Sequence, residues 1–212
     1  MLAKAGFVAA FLFLDFLTIR GLLAYVAIHE GPADALFVFN CLARVAVAIF
    51  LATFMAFVIL RSPAKRKAAG FLPRLLAFTG TYLMISMPIF QVHEMPLPIA
   101  ILSSVLVFAG DGFAIFVVWR LGRSISLMAE ARQLVTTGPY AVVRHPLYLA
   151  EELAIVGTWL QFASPVTTAM LVLHALVQLQ RMVNEERVLG AEFPEEYATY
   201  AARTPRLIPG IY

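Results

Sequence analysis

Gly138-Pro139-Tyr140-Ala141-Val142-Val143-Arg144-His145-Pro146-Leu147-Tyr148 marks a change of character in the chain. Before it, residues 122–143 are polar and rich in turn formers; after it, residues 147–160 are almost wholly apolar. Gly138-Pro139 is a strong break, and Pro146 suits the first turn of a helix, where its missing N–H has no partner to lose. The run therefore places a basic, hydrogen-bonding cluster at the mouth of a membrane-embedded unit. That unit continues through Gln161-Phe162-Ala163-Ser164-Pro165 into a second apolar arm over 166–180. The first arm of 14 residues would reach about 21 Å, short of a ~30 Å hydrocarbon core. Two short arms predict either a broken helical hairpin that turns within the membrane or two shallow, tilted spans, both returning to the starting side, with the hairpin preferred.

Working outward, residues 6–28, 36–60, 72–90 and 97–119 read as four further spans, so the fold class is an all-α polytopic membrane protein of about five helical units with a C-terminal cap. Composition agrees: 61% of the 212 residues are hydrophobic, 14% are charged and mean hydropathy is +0.84, which excludes a soluble globular domain. Residues 6–28 are too long for a signal peptide and contain Asp15 and Arg20, so a retained first helix is expected. The net charge of +3 is gathered in a few loops and bears on topology rather than nucleic-acid binding. Arg61, Lys65, Arg66, Lys67 and Arg74 crowd the second connection, whereas residues 29–34 and 91–96 hold no Lys or Arg. By the positive-inside rule the N-terminus, the hairpin mouth and the C-terminus are expected to be cytoplasmic.

Cys41 is the single cysteine, which excludes an intrachain disulfide and any multi-cysteine metal site. His29, His93 and His174 are scattered and follow no metal-ligand spacing. Asp15, Arg20, Arg44 and Asp111 interrupt the early spans; membrane ion pairs such as Asp15–Arg20 or Arg44–Asp111 are expected of them, with contacts to a substrate headgroup as the alternative. No internal repeat or separate soluble domain is present. The chain reads as one unit, 1–121 supplying membrane helices and 122–212 the chemistry.

Past the hairpin the helix should continue through Asn184-Glu185-Glu186-Arg187, followed by a short surface helix over 192–202. The tail from Arg203 to Tyr212 mixes prolines with apolar and aromatic residues, and is expected to fold back as a cover. Arg144 can hold a carboxylate bidentately, His145 and Tyr148 share a helix face, and Glu185 and Glu186 can receive an ammonium group. Each has a plain structural role when taken alone. Together, beside lipid, they match a water-soluble ligand that carries both an amino group and a carboxylate.

The pattern Gly138-Pro139-Tyr140, Val143-Arg144-His145-Pro146 and Tyr148, followed by Arg181, Glu185-Glu186, Leu189, Phe193, Glu196-Tyr197, Tyr200 and Arg203-Thr204-Pro205-Arg206-Leu207-Ile208-Pro209, resembles the isoprenylcysteine carboxyl methyltransferases and the related phospholipid methyltransferases. The resemblance covers residues 122–212 and departs at Ala150, where such proteins often have glycine. It implies S-adenosylmethionine as cofactor and a lipophilic methyl acceptor that enters from the membrane, either the carboxylate of an isoprenylated cysteine or a phospholipid amine. It further implies that His145 and Tyr148 contact the cofactor, that Glu185 or Glu186 meets its amino group, and that Arg144 meets its carboxylate or orders that wall. The backbone near Tyr140 and Leu207 would meet the adenosyl portion. A carboxylate acceptor would need an orienting cation, for which Arg203 is the candidate; an amine acceptor would be assisted by Glu186. Small residues Ala150, Ala154 and Gly157 either allow close helix contact or leave lipid-sized space. A sterol-reductase-like oxidoreductase and a transporter or scaffold are the competing classes, distinguished by nicotinamide binding and by a path open to both membrane faces.

Overall fold

The computed structural model describes residues 2–90 and 94–208. His93 and the tail end from Pro209 to Tyr212 lie outside the described residues. Four helices are long and apolar enough to cross a membrane: Gly6–Ala27 within α1 (Leu2–Ala27), α2 (Ala35–Leu60), Leu97–Ser124 built on α4 (Leu97–Leu121), and α6 (Pro165–Glu192). The chain is a largely helical, multi-span membrane protein. Leu12, Phe13, Phe16, Leu23 and Phe78 are among the large apolar side chains turned outward, as lipid contact requires.

Local chemistry explains where these helices start and stop. Gly31, at φ +112°, and Pro32 break the chain after α1. Asp34 then caps α2 by accepting from the Phe37 amide at 2.7 Å. Gly122, at φ +53°, ends α4 in a conformation that disfavours side chains. Ser164 and Thr167 form a reciprocal capping box at the head of α6, with Pro165 in its first turn.

One expected span takes a different form. Residues 72–90 make an 11-residue helix, α3 (Leu72–Tyr82), followed by a 3₁₀ turn over Met84–Ile89. α3 extends about 16 Å, too short to cross. Pro88 cannot donate to a continuing α-helix, and the chain tightens before it. In the last unit the chain breaks at Ser164-Pro165 between α5 (Pro146–Gln161), of 16 residues, and α6, whose 28 residues extend about 42 Å by joining the second arm to the expected continuation through Asn184-Glu185-Glu186-Arg187. The surface helix is α7 (Pro194–Arg203), starting two residues later than expected. A two-residue antiparallel ribbon, β1 (Arg66–Lys67) against β2 (Glu130–Ala131), departs from an all-helical reading.

The helices that frame the site touch through small residues and paired polar groups. A Cβ at Gly110 on α4 would stand 2.5 Å from the Ala154 amide nitrogen and 2.8 Å from the Ala150 carbonyl. Ser103 donates to the Gly157 carbonyl at 2.7 Å, and Gln161 donates to Ser103 at 2.9 Å. Ala150, Ala154 and Gly157 therefore serve close packing of α5 on α4. α2 lies alongside α4 through Ser104, which donates to Asn40 at 3.0 Å, and at the other end Arg123 donates to the Leu60 carbonyl at 2.9 Å. α3 meets α6 where His174 Nε2 donates to the Gly80 carbonyl at 3.0 Å. Among the described residues neither expected intramembrane ion pair forms: the Arg44 guanidinium lies 5.2 Å from the Tyr25 ring centre, and Asp111 faces a cavity.

One end of the bundle gathers the basic connection, the β1–β2 ribbon, the Gly138 turn, the end of α6 and the tail. Arg66 pairs with Glu192 at 3.1 Å, and the Ser62 amide donates to the Arg123 carbonyl at 2.9 Å.

Candidate functional site

The Arg144-His145 turn is held by the tail as an edge is held in a sheet. The Arg144 amide donates to the Pro205 carbonyl at 2.8 Å and the His145 amide to the Arg206 carbonyl at 3.0 Å. The described part of the tail is thus folded back over the turn that precedes α5. Tyr200 adds a third tie, donating from its hydroxyl to the Tyr140 carbonyl at 2.6 Å. Burial pushes the Tyr140 and Tyr200 phenols well up and Tyr197 up to about 12, so all three stay protonated donors at neutral pH.

Glu186 is the hub of these ties. Its carboxylate receives Arg144 Nη1 at 2.9 Å, His145 Nε2 at 3.1 Å, and Arg206 through Nε at 3.0 Å and Nη2 at 2.9 Å. Three donor side chains from two segments occupy both of its oxygens. Glu185, the next residue back, accepts from the Tyr148 hydroxyl at 3.2 Å and lines a cavity.

That cavity holds about 630 Å³, within the range that takes a drug-sized ligand. Its polar lining includes Tyr140, Arg144, His145, Tyr148 and Glu185. Its apolar lining includes Phe11, Leu14, Leu17, Phe50 and Phe54 of α1 and α2, and Phe11 and Phe54 pack in one cluster with Leu147. Five of the eight residues expected of the site thus share one space. Glu186 sits behind it in the ion-pair cluster, Arg203 is exposed at the end of α7, and Leu207 is half-buried in the tail; none of these three lines the cavity.

The polar lining extends beyond those expectations. Arg181 on α6 lies 5.2 Å from the Tyr148 ring centre and donates to Gln178 at 2.6 Å, while Gln178 donates to Glu151 at 3.1 Å. Arg181 gains its place because Gly80 has no side chain: a Cβ there would stand 2.7 Å from Nη1. Glu151 follows Tyr148 by three residues, a spacing that puts both on one helix face and was available to sequence reading. Arg132 closes the ribbon side through Glu130 and the Ser62 carbonyl. Burial lowers its pKa, offset by the Glu130 carboxylate. Among the described residues no group of three metal-ligating side chains occurs.

The donor set suits a zwitterionic amino-acid moiety. Arg144 lines the cavity with its guanidinium held by Glu186 at 2.9 Å, which places a fixed positive charge beside the space for a carboxylate. Glu185 offers the complementary acceptor for an ammonium group.

Comparison with known proteins bears on the same segment. The cobalt-zinc-cadmium resistance protein CzcN of Cupriavidus metallidurans is 44% identical over 77 residues, 36% of this chain and 35% of that protein. The nickel-cobalt-cadmium resistance protein NccN of Alcaligenes xylosoxydans is 40% identical over 81 residues, 38% of each chain. Protein-S-isoprenylcysteine O-methyltransferase B of Arabidopsis thaliana is 32% identical over 94 residues, 42% of this chain and 48% of that one. The chain thus spans less than half the length of each of these relatives. Residues 99–196, which run from α4 into α7 and contain Asp111, Tyr140, Arg144, His145, Tyr148, Glu151, Arg181 and Glu185, are similar to the phospholipid methyltransferase family.

Proposed function

We propose that this chain is a membrane-embedded, S-adenosylmethionine-dependent methyltransferase whose acceptor is a lipid, with a phospholipid favoured over an isoprenylated cysteine. The observation that carries the reading is a cavity whose lining combines polar groups that complement an amino acid with apolar side chains of the membrane helices α1 and α2. Similarity to the phospholipid methyltransferase family over residues 99–196 supports the choice of acceptor.

S-adenosylmethionine, when bound, supplies a methyl group on an electrophilic sulfonium centre. Glu185 would receive the ammonium of its methionine portion, and Arg144 would donate to the carboxylate. His145 and Tyr148 would complete that wall, with the backbone near Tyr140 and Leu207 beside the nucleoside. Glu186 would act here by ordering Arg144 and His145 through its ion pairs. The folded-back tail would exclude water, and the lining would hold the two reactants in position, which is where most of the rate advantage arises when charge is dispersed rather than created.

The second reading, methylation of an isoprenylated cysteine carboxylate, is supported by the similarity to the Arabidopsis enzyme. There Arg203 would orient the acceptor; its exposure at the end of α7 makes this the weaker reading. Purified protein should bind S-adenosylmethionine in calorimetry and move labelled methyl into phosphatidylethanolamine vesicles. No heat of binding, or label recovered in S-farnesylcysteine alone, would refute the first reading.

A further inference from the structure

Asp111 on α4 is buried to 7% exposure and lines the cavity. Among the described residues neither a hydrogen-bond donor nor a cation meets its carboxylate. The charge that does act on it is of the same sign, from Glu151 on α5. Glu151 itself is satisfied, since Gln178 donates to it and Arg181 holds Gln178. A carboxylate buried among apolar helices without a partner is costly, and a ligand that brings a cation relieves that cost.

Its level in the bundle is informative. Gly110 packs against Ala150 and Ala154, so Asp111 stands beside Glu151, about 4.5 Å along α5 from Tyr148 toward the Phe162 turn. That is about one helical turn along α5 from Tyr148, away from the Arg144-His145 turn. The other charged or titratable groups lining the same cavity are Arg44 on α2, Glu151 with Tyr148 on α5, and His174, Arg181 and Glu185 on α6; Glu130, Arg132, Tyr140, Arg144, His145, Tyr197 and Tyr200 line it from the ribbon, the Gly138 turn and α7.

We propose that Asp111 binds the acceptor's ammonium and takes its proton, which makes a lipid amine the group methylated here; this rests on the methyl-transfer reading above. One proton passes from the ammonium nitrogen to an Asp111 carboxylate oxygen. The freed nitrogen pair forms the N–CH₃ bond as the S–CH₃ bond breaks, and sulfur keeps the bonding pair. The carboxylic acid then returns its proton to water.

The test uses the full chain in detergent, with Asp111→Asn and Asp111→Glu as variants. Asp111→Asn should bind S-adenosylmethionine as wild type does and should melt at a higher temperature, because a neutral amide replaces an unpaired buried charge. Its transfer to phosphatidylethanolamine vesicles should fall about 100-fold, with the deficit shrinking as rising pH deprotonates the amine in solution. Asp111→Glu should recover part of the rate. Wild-type transfer by Asp111→Asn, weakened cofactor binding, or a lowered melting temperature would each overturn the inference. If wild type binds the cofactor but methylates only S-farnesylcysteine, this inference falls while methyl transfer stands. If wild type binds no S-adenosylmethionine, both fall.

Discussion

Glu185 and Glu186 are neighbours with different surroundings. Successive helical residues point about 100° apart, so one faces the cavity and the other faces the tail. The sequence offers both as equal candidates, because the packing of α7 and the tail on α6 decides between them. Glu185→Gln should weaken S-adenosylmethionine binding about tenfold or more in calorimetry, with little change in thermal unfolding. Glu186→Gln should instead cost on the order of 2 kcal/mol, below the ~3–5 kcal/mol for breaking a fully buried ion pair, since Arg206 is 28% exposed. It should also open the tail to trypsin, and an unchanged cleavage rate would argue against the hub role. At Tyr197, burial raises the phenol to about 12. Its stabilising share is complete below the unfolded value of about 10 and is lost as pH climbs through the folded one. Tyr197→Phe should therefore flatten the decline of stability between those values in an alkaline titration.

At the scale of elements, the α4–α5 contact is the tightest constraint on the site, since it sets Asp111 beside Glu151. Gly110→Val should separate these helices at a cost of about 1–3 kcal/mol and impair activity. Gly112→Ala, where a Cβ meets nothing within 4 Å, should be tolerated; equal losses in both variants would show that the contact is not limiting. Helix heads were read where a proline sets them, at Pro146 and after the Ser164-Pro165 break, whereas the Asp34 cap emerged only with the structure. The failure over residues 72–90 came from apolar content, which reports burial or lipid contact without distinguishing a spanning helix from a short one ended by a 3₁₀ turn. The β1–β2 ribbon was invisible because two residues per strand are too few for any alternation. The polar lining of the cavity was legible from Arg144, His145, Tyr148 and Glu185, and Glu151 could be added from its three-residue spacing to Tyr148. The place of Arg181 depends on Gly80, a long-range relation that no local pattern encodes.

For the whole molecule, a shared end for the basic connection, the turn and the tail ties topology to the site. If that end is cytoplasmic, then in a Cys41→Ser background a cysteine at Lys67 should resist an impermeant thiol reagent applied outside sealed cells, and one at Glu30 should react. The reverse pattern would invert the orientation. The tie between the Arg144-His145 turn and the Pro205-Arg206 backbone also sets a timetable for biosynthesis. The turn leaves the ribosome well before the strap that fixes it, so the ligand pocket stays incomplete in a nascent chain until translation has passed Arg206 and the strap has threaded free.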